Sequence, residues 1–152
     1  MCSWCWGFSP VIDAIQERFG SDLPIRLIMG GLRPGTTKPT DEAAKRTTRA
    51  HWEHVHGASG QPFDDGCFER EGFVYDTEPA ARAIVVVRRS GMEQALDLLK
   101  QLHLAFYTQN RDVTDEVILA ELASESGVER RAFLEAFRSD EASRRGSEGF
   151  RA

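Results

Sequence analysis

One segment governs how this chain can fold. Leu23-Pro24-Ile25-Arg26-Leu27-Ile28-Met29 is short, apolar and closed by Gly30-Gly31, the pattern of a buried β-strand. Nearly every other periodic stretch is helical. A lone strand leaves its backbone donors and acceptors without partners, and a sheet needs several strands to be stable. Residues 69–75 offer a weak second strand, but Glu71-Gly72 interrupts it. The sequence therefore predicts either an almost wholly helical chain in which 23–29 is no strand, or an incomplete sheet.

The helical segments follow from spacing and end signals. Val11, Ile12, Ile15 and Phe19 share a helix face between Cys5 and Phe19, Gly20 is a C-terminal cap, and Pro10 should end or kink the first turn. Residues 32–39 form a Pro-, Gly- and Thr-rich loop. Thr40 caps a helix with Asp41 and Glu42 in its first turn, running to about His56 and stopping at Gly57. After a loop containing Gly60-Gln61-Pro62, Thr77 caps a helix through Ala83, Ile84 and Val87. Ser90-Gly91-Met92-Glu93 reads as a capping box. The helix it opens buries Met92, Leu96, Leu99, Leu102 or His103, and Phe106. Thr114 caps the next helix, with Val117, Ile118, Leu122 and Ala123, ended by Gly127. A last helix carries Phe133, Ala136 and Phe137, and a polar tail follows Ser139.

Composition narrows the function classes. The 152 residues suit one domain, and 41% hydrophobic with 28% charged residues excludes a disordered or fibrous chain. A net charge of -5 gives no electrostatic support to nucleic-acid binding. The longest purely apolar run, residues 83–87, is far too short to span a membrane. No apolar leader follows the start, and the first basic residue is Arg18, so a cytoplasmic protein is expected.

The strongest chemical signal is Cys2-Ser3-Trp4-Cys5. Two thiols so spaced can close a disulfide across one helical turn. At a helix start, the unpaired N–H groups and the dipole lower the pKa of the first thiol and raise its reactivity. Cys2 is then the nucleophile, and Cys5, one turn deeper and more buried, resolves the mixed disulfide. Half a zinc site is an alternative, with His51, His54, His56 and Cys67 as further ligands, although their spacing fits no common zinc pattern. On the plainer reading, His51 and His54 lie on a solvated helix face. Cys67 is then a buried apolar residue and His103 a core-edge histidine. Arg88-Arg89, Arg130-Arg131 and Arg144-Arg145 read as surface charge, and Arg82 pairs with Glu78 one turn earlier.

The opening stretch, residues 1–10, resembles the active-site segment of DsbA-like thioredoxin-fold proteins, particularly their FrnE-like branch. Residues 30–35 (GGLRPG), 75–83 (YDTEPAARA), and 104–107 (LAFY) followed by Arg111-Asp112-Val113 are similar to that branch too. The resemblance runs from Met1 to about Ser139. It implies an α/β thioredoxin fold with a helical insertion, of which this chain carries a predominantly helical part with an incomplete β-sheet. Residues 1–35 would be a partial thioredoxin segment, 36–139 the insertion and 140–152 a tail. It further implies thiol–disulfide exchange, with Cys2 as nucleophile and Cys5 as resolving thiol, on protein or small thiol and disulfide substrates. No cofactor, metal, nucleic acid or membrane is called for. Related isomerases and kappa-class glutathione transferases usually carry serine where Cys2 stands, so two cysteines favour dithiol chemistry.

The chain also departs from that family. A strand precedes the CxxC there, and a cis-proline loop, two strands and a helix follow the insertion. Here Cys2 is the second residue, and the last of the six prolines is Pro79. A chain shortened at both ends, with weakened exchange, is therefore the expectation. A non-catalytic helical interaction module or decayed fragment is the alternative, self-associating through an exposed strand edge.

Overall fold

The computed structural model describes residues 1–139. The polar tail and the Arg144-Arg145 pair lie outside the described residues. The helices are α1 (Ser3–Phe19), α2 (Glu42–Ser59), α3 (Glu78–Val87), α4 (Met92–Tyr107), α5 (Glu116–Glu125) and α6 (Arg130–Phe137), with short 3-10 turns at Gly20–Asp22 and Gly66–Glu69. Helix α1 packs on α2, while α3 contacts α4, α5 and α6 to form the main bundle. The predominantly helical chain anticipated from sequence is what forms. No described helix is long and apolar enough to cross a membrane.

The strand is the first correction. Residues 24–31 run without a turn or bend, yet no described residue is in a strand. The expected strand edge for self-association is thus absent as an element. The weak candidate at 69–75 instead follows a 3-10 turn and bends at Glu71-Gly72. Both follow from pairing: a ladder needs a neighbouring strand, and the helices leave none beside residues 24–30.

Helix α1 starts earlier than its apolar spacing suggested, because Cys2 takes the N-cap position. Pro10 neither ends nor replaces it. Proline removes the N–H that the Trp6 carbonyl would accept. That carbonyl instead accepts from Ser9 Oγ at 2.8 Å and Gln61 Nε2 at 3.2 Å. The predicted apolar face holds only in part: α1 buries Ser3 and Trp6, Ile12 and Ile15 are half-buried, and Val11 and Phe19 are exposed. Gly7 permits the close approach of α2, since a Cβ there would meet Val55 Cγ1 at 2.9 Å.

Elsewhere the ends shift by a residue or a turn. Asp41, not Thr40, caps α2 by accepting from Ala44 N at 2.7 Å. Helix α2 runs through Gly57 and ends at Gly60, whose left-handed φ of 74° suits glycine. Gly91 occupies the α4 N-cap, and the Ser90 box does not form. The buried residues of α4 are Ala95, Leu98, Leu102, His103, Ala105, Phe106 and Tyr107, with Leu96 and Leu99 only half-buried. Asp115 caps α5 in place of Thr114, and α6 buries Phe133 and Phe137 as read. Arg82 does pair with Glu78, at 3.0 Å, and its guanidinium also lies 4.0 Å over the Phe137 ring. Trp52, 2% exposed, anchors an aromatic core against Phe63, Phe68, Phe106 and Tyr107.

Candidate functional site

Both cysteines of the CxxC pair lie at the start of α1, as free thiols. Cys2 is extended (φ -99°, ψ 118°), and its carbonyl accepts from Trp6 N at 3.2 Å, opening the first turn. Cys2 is half-buried and Cys5 exposed. This reverses the expected order of burial, because the buried face of α1 passes through Ser3 and Trp6, not Cys5.

Electrostatics separates the two thiols. Hydrogen bonding from the Cys5 side chain, helped by the Cys5 and Trp4 backbone, outweighs burial and pulls Cys2 down to about 5. The same side-chain interaction and burial push Cys5 up. At neutral pH the pair therefore holds one thiolate, on Cys2, and one thiol, on Cys5. That is the division of roles that nucleophilic attack followed by resolution requires.

The thiols open onto a cavity of about 370 Å³ bounded by residues 27–32, by Thr77 and Ala81 of the α3 region, and by Leu99 and His103 of α4. Beneath it, Trp6 donates to the Pro62 carbonyl at 2.9 Å and stacks on Tyr107, ring centroids 6.2 Å apart. Tyr75 Oη donates to the Met1 carbonyl at 2.7 Å, fixing the backbone just ahead of Cys2. The Arg33 guanidinium lies 5.3 Å over the Tyr75 ring. Arg33 and Thr77 bond in both directions: Arg33 N donates to Thr77 Oγ1 at 2.9 Å, and Thr77 N to the Arg33 carbonyl at 3.2 Å. Asp76 Oδ1 accepts from Gly35 N at 2.9 Å. Thr77 does sit at the N-cap of α3, but its hydroxyl ties down the cavity loop instead of capping the helix.

The other sequence candidates fall in different places. Cys67 is fully buried in the core, where burial pushes its thiol up to about 12. His51 and His54 are exposed on α2 and set their rings edge-on to Trp4, centroids 6.3 and 5.7 Å away. Among the described residues no group of three His, Cys, Asp or Glu side chains is placed to hold a metal ion. His103 is no edge residue. It is 2% exposed beside Trp6 and Tyr107, its Nδ1 has no hydrogen-bond partner, and burial drives it down to about 3. Sequence reading missed this wall position and the Arg33–Thr77 clasp. His103 showed only as a histidine within an apolar stripe, and the clasp joins residues far apart in the chain. Arg88, read as surface charge, donates to the Leu27 carbonyl at 2.9 Å and so anchors the cavity wall at Leu27.

The family model for the DSBA-like thioredoxin domain matches residues 1–148. A structure from Nitrosomonas europaea, provisionally assigned as a protein disulfide isomerase, is 38% identical with a TM-score of 0.88, covering 99% of this chain and 72% of that one. The cytosolic disulfide reductase DsbM from Pseudomonas aeruginosa is 28% identical with a TM-score of 0.82, covering 99% and 71%. The ClpXP adapter protein SpxH of Bacillus subtilis (strain 168) is 24% identical over 141 residues, 92% of this chain and 45% of that protein. The chain thus spans about half the length of the curated relatives it matches.

Proposed function

The chain belongs to the DSBA-like thioredoxin domain family, and from that premise we propose that it exchanges disulfides with protein or small thiol substrates through Cys2 and Cys5. The observation that carries this reading is the polarised pair at the α1 start, a depressed Cys2 beside a raised Cys5 on the wall of a largely apolar cavity. The Cys2 thiolate attacks one sulfur of a substrate disulfide, forming a mixed disulfide and expelling the other sulfur as a thiolate. Cys5 loses its proton and attacks Cys2 Sγ, which closes the Cys2–Cys5 disulfide and releases the second substrate thiol. The substrate gains two electrons and the protein loses two, and an external thiol reductant returns the pair to the dithiol state. In this reading residues 1–35 carry the exchange chemistry and 36–139 form a helical part that walls the cavity. The cytosolic disulfide reductase among the solved neighbours supports a cytoplasmic location.

Insulin reduction tests the proposal. The Cys2→Ser protein should run at under about a hundredth of the parent rate, because serine supplies no thiolate; equal rates would sink the redox assignment. A second reading, a non-catalytic interaction module, is favoured by the similarity to the ClpXP adapter protein SpxH. Thiol titration separates the two. Cysteines inert to disulfides, in a protein that still forms a stable complex on size exclusion, would select the module.

A further inference from the structure

One buried hydrogen bond ties the backbone ahead of Cys2 to a residue distant in sequence. Tyr75 Oη donates to the Met1 carbonyl at 2.7 Å, across 74 positions. That carbonyl shares a rigid peptide plane with the Cys2 N–H, so the bond fixes the direction in which the Cys2 backbone leaves. Cys2 is the N-cap of α1, in the extended conformation (φ -99°, ψ 118°) that an N-cap adopts. From there the Trp4 and Cys5 backbone N–H groups, second and third in the helix, stabilise its thiolate. The first turn is closed by a long bond, Trp6 N to the Cys2 carbonyl at 3.2 Å, and helix ends fray. Tyr75 itself is held firmly. It is 5% exposed, and its ring meets the Arg33 guanidinium, 5.3 Å from the centroid, and the Phe106 ring at 5.4 Å. The two residues after it, Asp76 and Thr77, accept from Gly35 N and Arg33 N at 2.9 Å each. The hydroxyl is thus presented from a frame made of residues 33–35, residues 75–77 and α4.

We infer that Tyr75 is a positioning residue for thiol–disulfide exchange, holding the Met1 carbonyl so that Cys2 keeps the N-cap geometry from which its sulfur attacks. The inference rests on the exchange reading above and deepens it. Tyr75 acts through the backbone and takes no part in bond making. The helical part then sets the geometry of the nucleophile as well as walling the cavity. A hydroxyl that served only the stability of the fold would have no bearing on the acidity of Cys2, and this separates the two roles.

Tyr75→Phe tests it, since the ring stays and only the hydroxyl goes. Cys2 alkylation by iodoacetamide, followed by mass spectrometry across pH, should show a midpoint about one unit above the parent's, because a frayed first turn withdraws its N–H groups from the thiolate. In insulin reduction at about pH 7, kcat should fall at least about fivefold with KM within about twofold. Glu129→Ala, which loosens the distant cap of α6, is the control for lost stability and should leave the midpoint in place. Fully buried Cys67 reports folding in the same spectra. If it becomes labelled in Tyr75→Phe, Thr77→Val is read instead; this variant removes the hydroxyl that holds Arg33 N and should raise the midpoint by about half a unit. An unmoved midpoint in the folded variant, or an equal shift in Glu129→Ala, overturns the inference while leaving the exchange chemistry standing. A parent midpoint near 9 overturns the exchange reading itself, and the inference with it.

Discussion

His103 makes stability depend on pH in a way that can be calculated. Its ring is 2% exposed, and burial moves its pKa from 6.5 to about 3. The unfolded chain takes up this proton below about pH 6.5, and the folded chain refuses it until about pH 3. The stability due to the neutral ring is therefore complete above the unfolded value and is lost as pH falls toward the folded one. Each pH decade inside that window costs about 1.4 kcal/mol, so moving from about pH 7 to about pH 4.5 removes about 2.5 kcal/mol. For a chain of this size that corresponds to a fall in Tm of about 5–10 °C from this one group. His103→Gln retains a polar side chain of similar length that does not titrate. Urea unfolding of both proteins at the two pH values isolates the histidine, because the carboxylates titrate alike in each. The parent should lose about 2.5 kcal/mol more than the variant over this interval. If the two lose stability in parallel, His103 is not held neutral by burial and the reasoning fails.

Four further outcomes follow from named contacts. Alkylation of Cys2 by iodoacetamide, read by mass spectrometry, should show a midpoint near pH 5, since the thiolate is lost only below that value; a midpoint near 9 would remove the proposed polarisation. Cys67, fully buried and pushed up to about 12, should stay unmodified until the protein unfolds. Trp52→Ala should cost about 3–5 kcal/mol in chemical denaturation, as it empties the centre of the aromatic core. Glu129→Ala should cost about 1 kcal/mol, because Glu129 caps α6 by accepting from Arg131 N and Ala132 N at 2.8 and 2.7 Å.

Local chemistry was legible in the residues themselves. The CxxC pair, the existence of most helices, the Glu78–Arg82 pair and the buried Phe133 and Phe137 all depend on neighbours within one or two turns. Errors of one residue at caps have a common cause: Thr40 and Asp41, or Thr114 and Asp115, are adjacent acceptors, and the helix axis decides which reaches the orphan N–H groups. The α1 face was misread for a related reason. Spacing selects Val11, Ile12, Ile15 and Phe19, of which Ile12 and Ile15 are half-buried, whereas the fully buried side chains are Ser3 and Trp6, the latter set against His103 and Tyr107 of α4.

The sequence alone determined the spacing of the paired cysteines, the helical character and the strand-like habit of residues 23–29, because residue type and local periodicity act over a few positions. Only the tertiary structure decided that Arg33 clasps Thr77, 44 positions away, that His103 forms the cavity wall, and that residues 27–32 line the cavity beside the thiols. Those outcomes depend on which distant groups become neighbours. That is set by the packing of α3 and α4 against the chain start, and no local propensity encodes it.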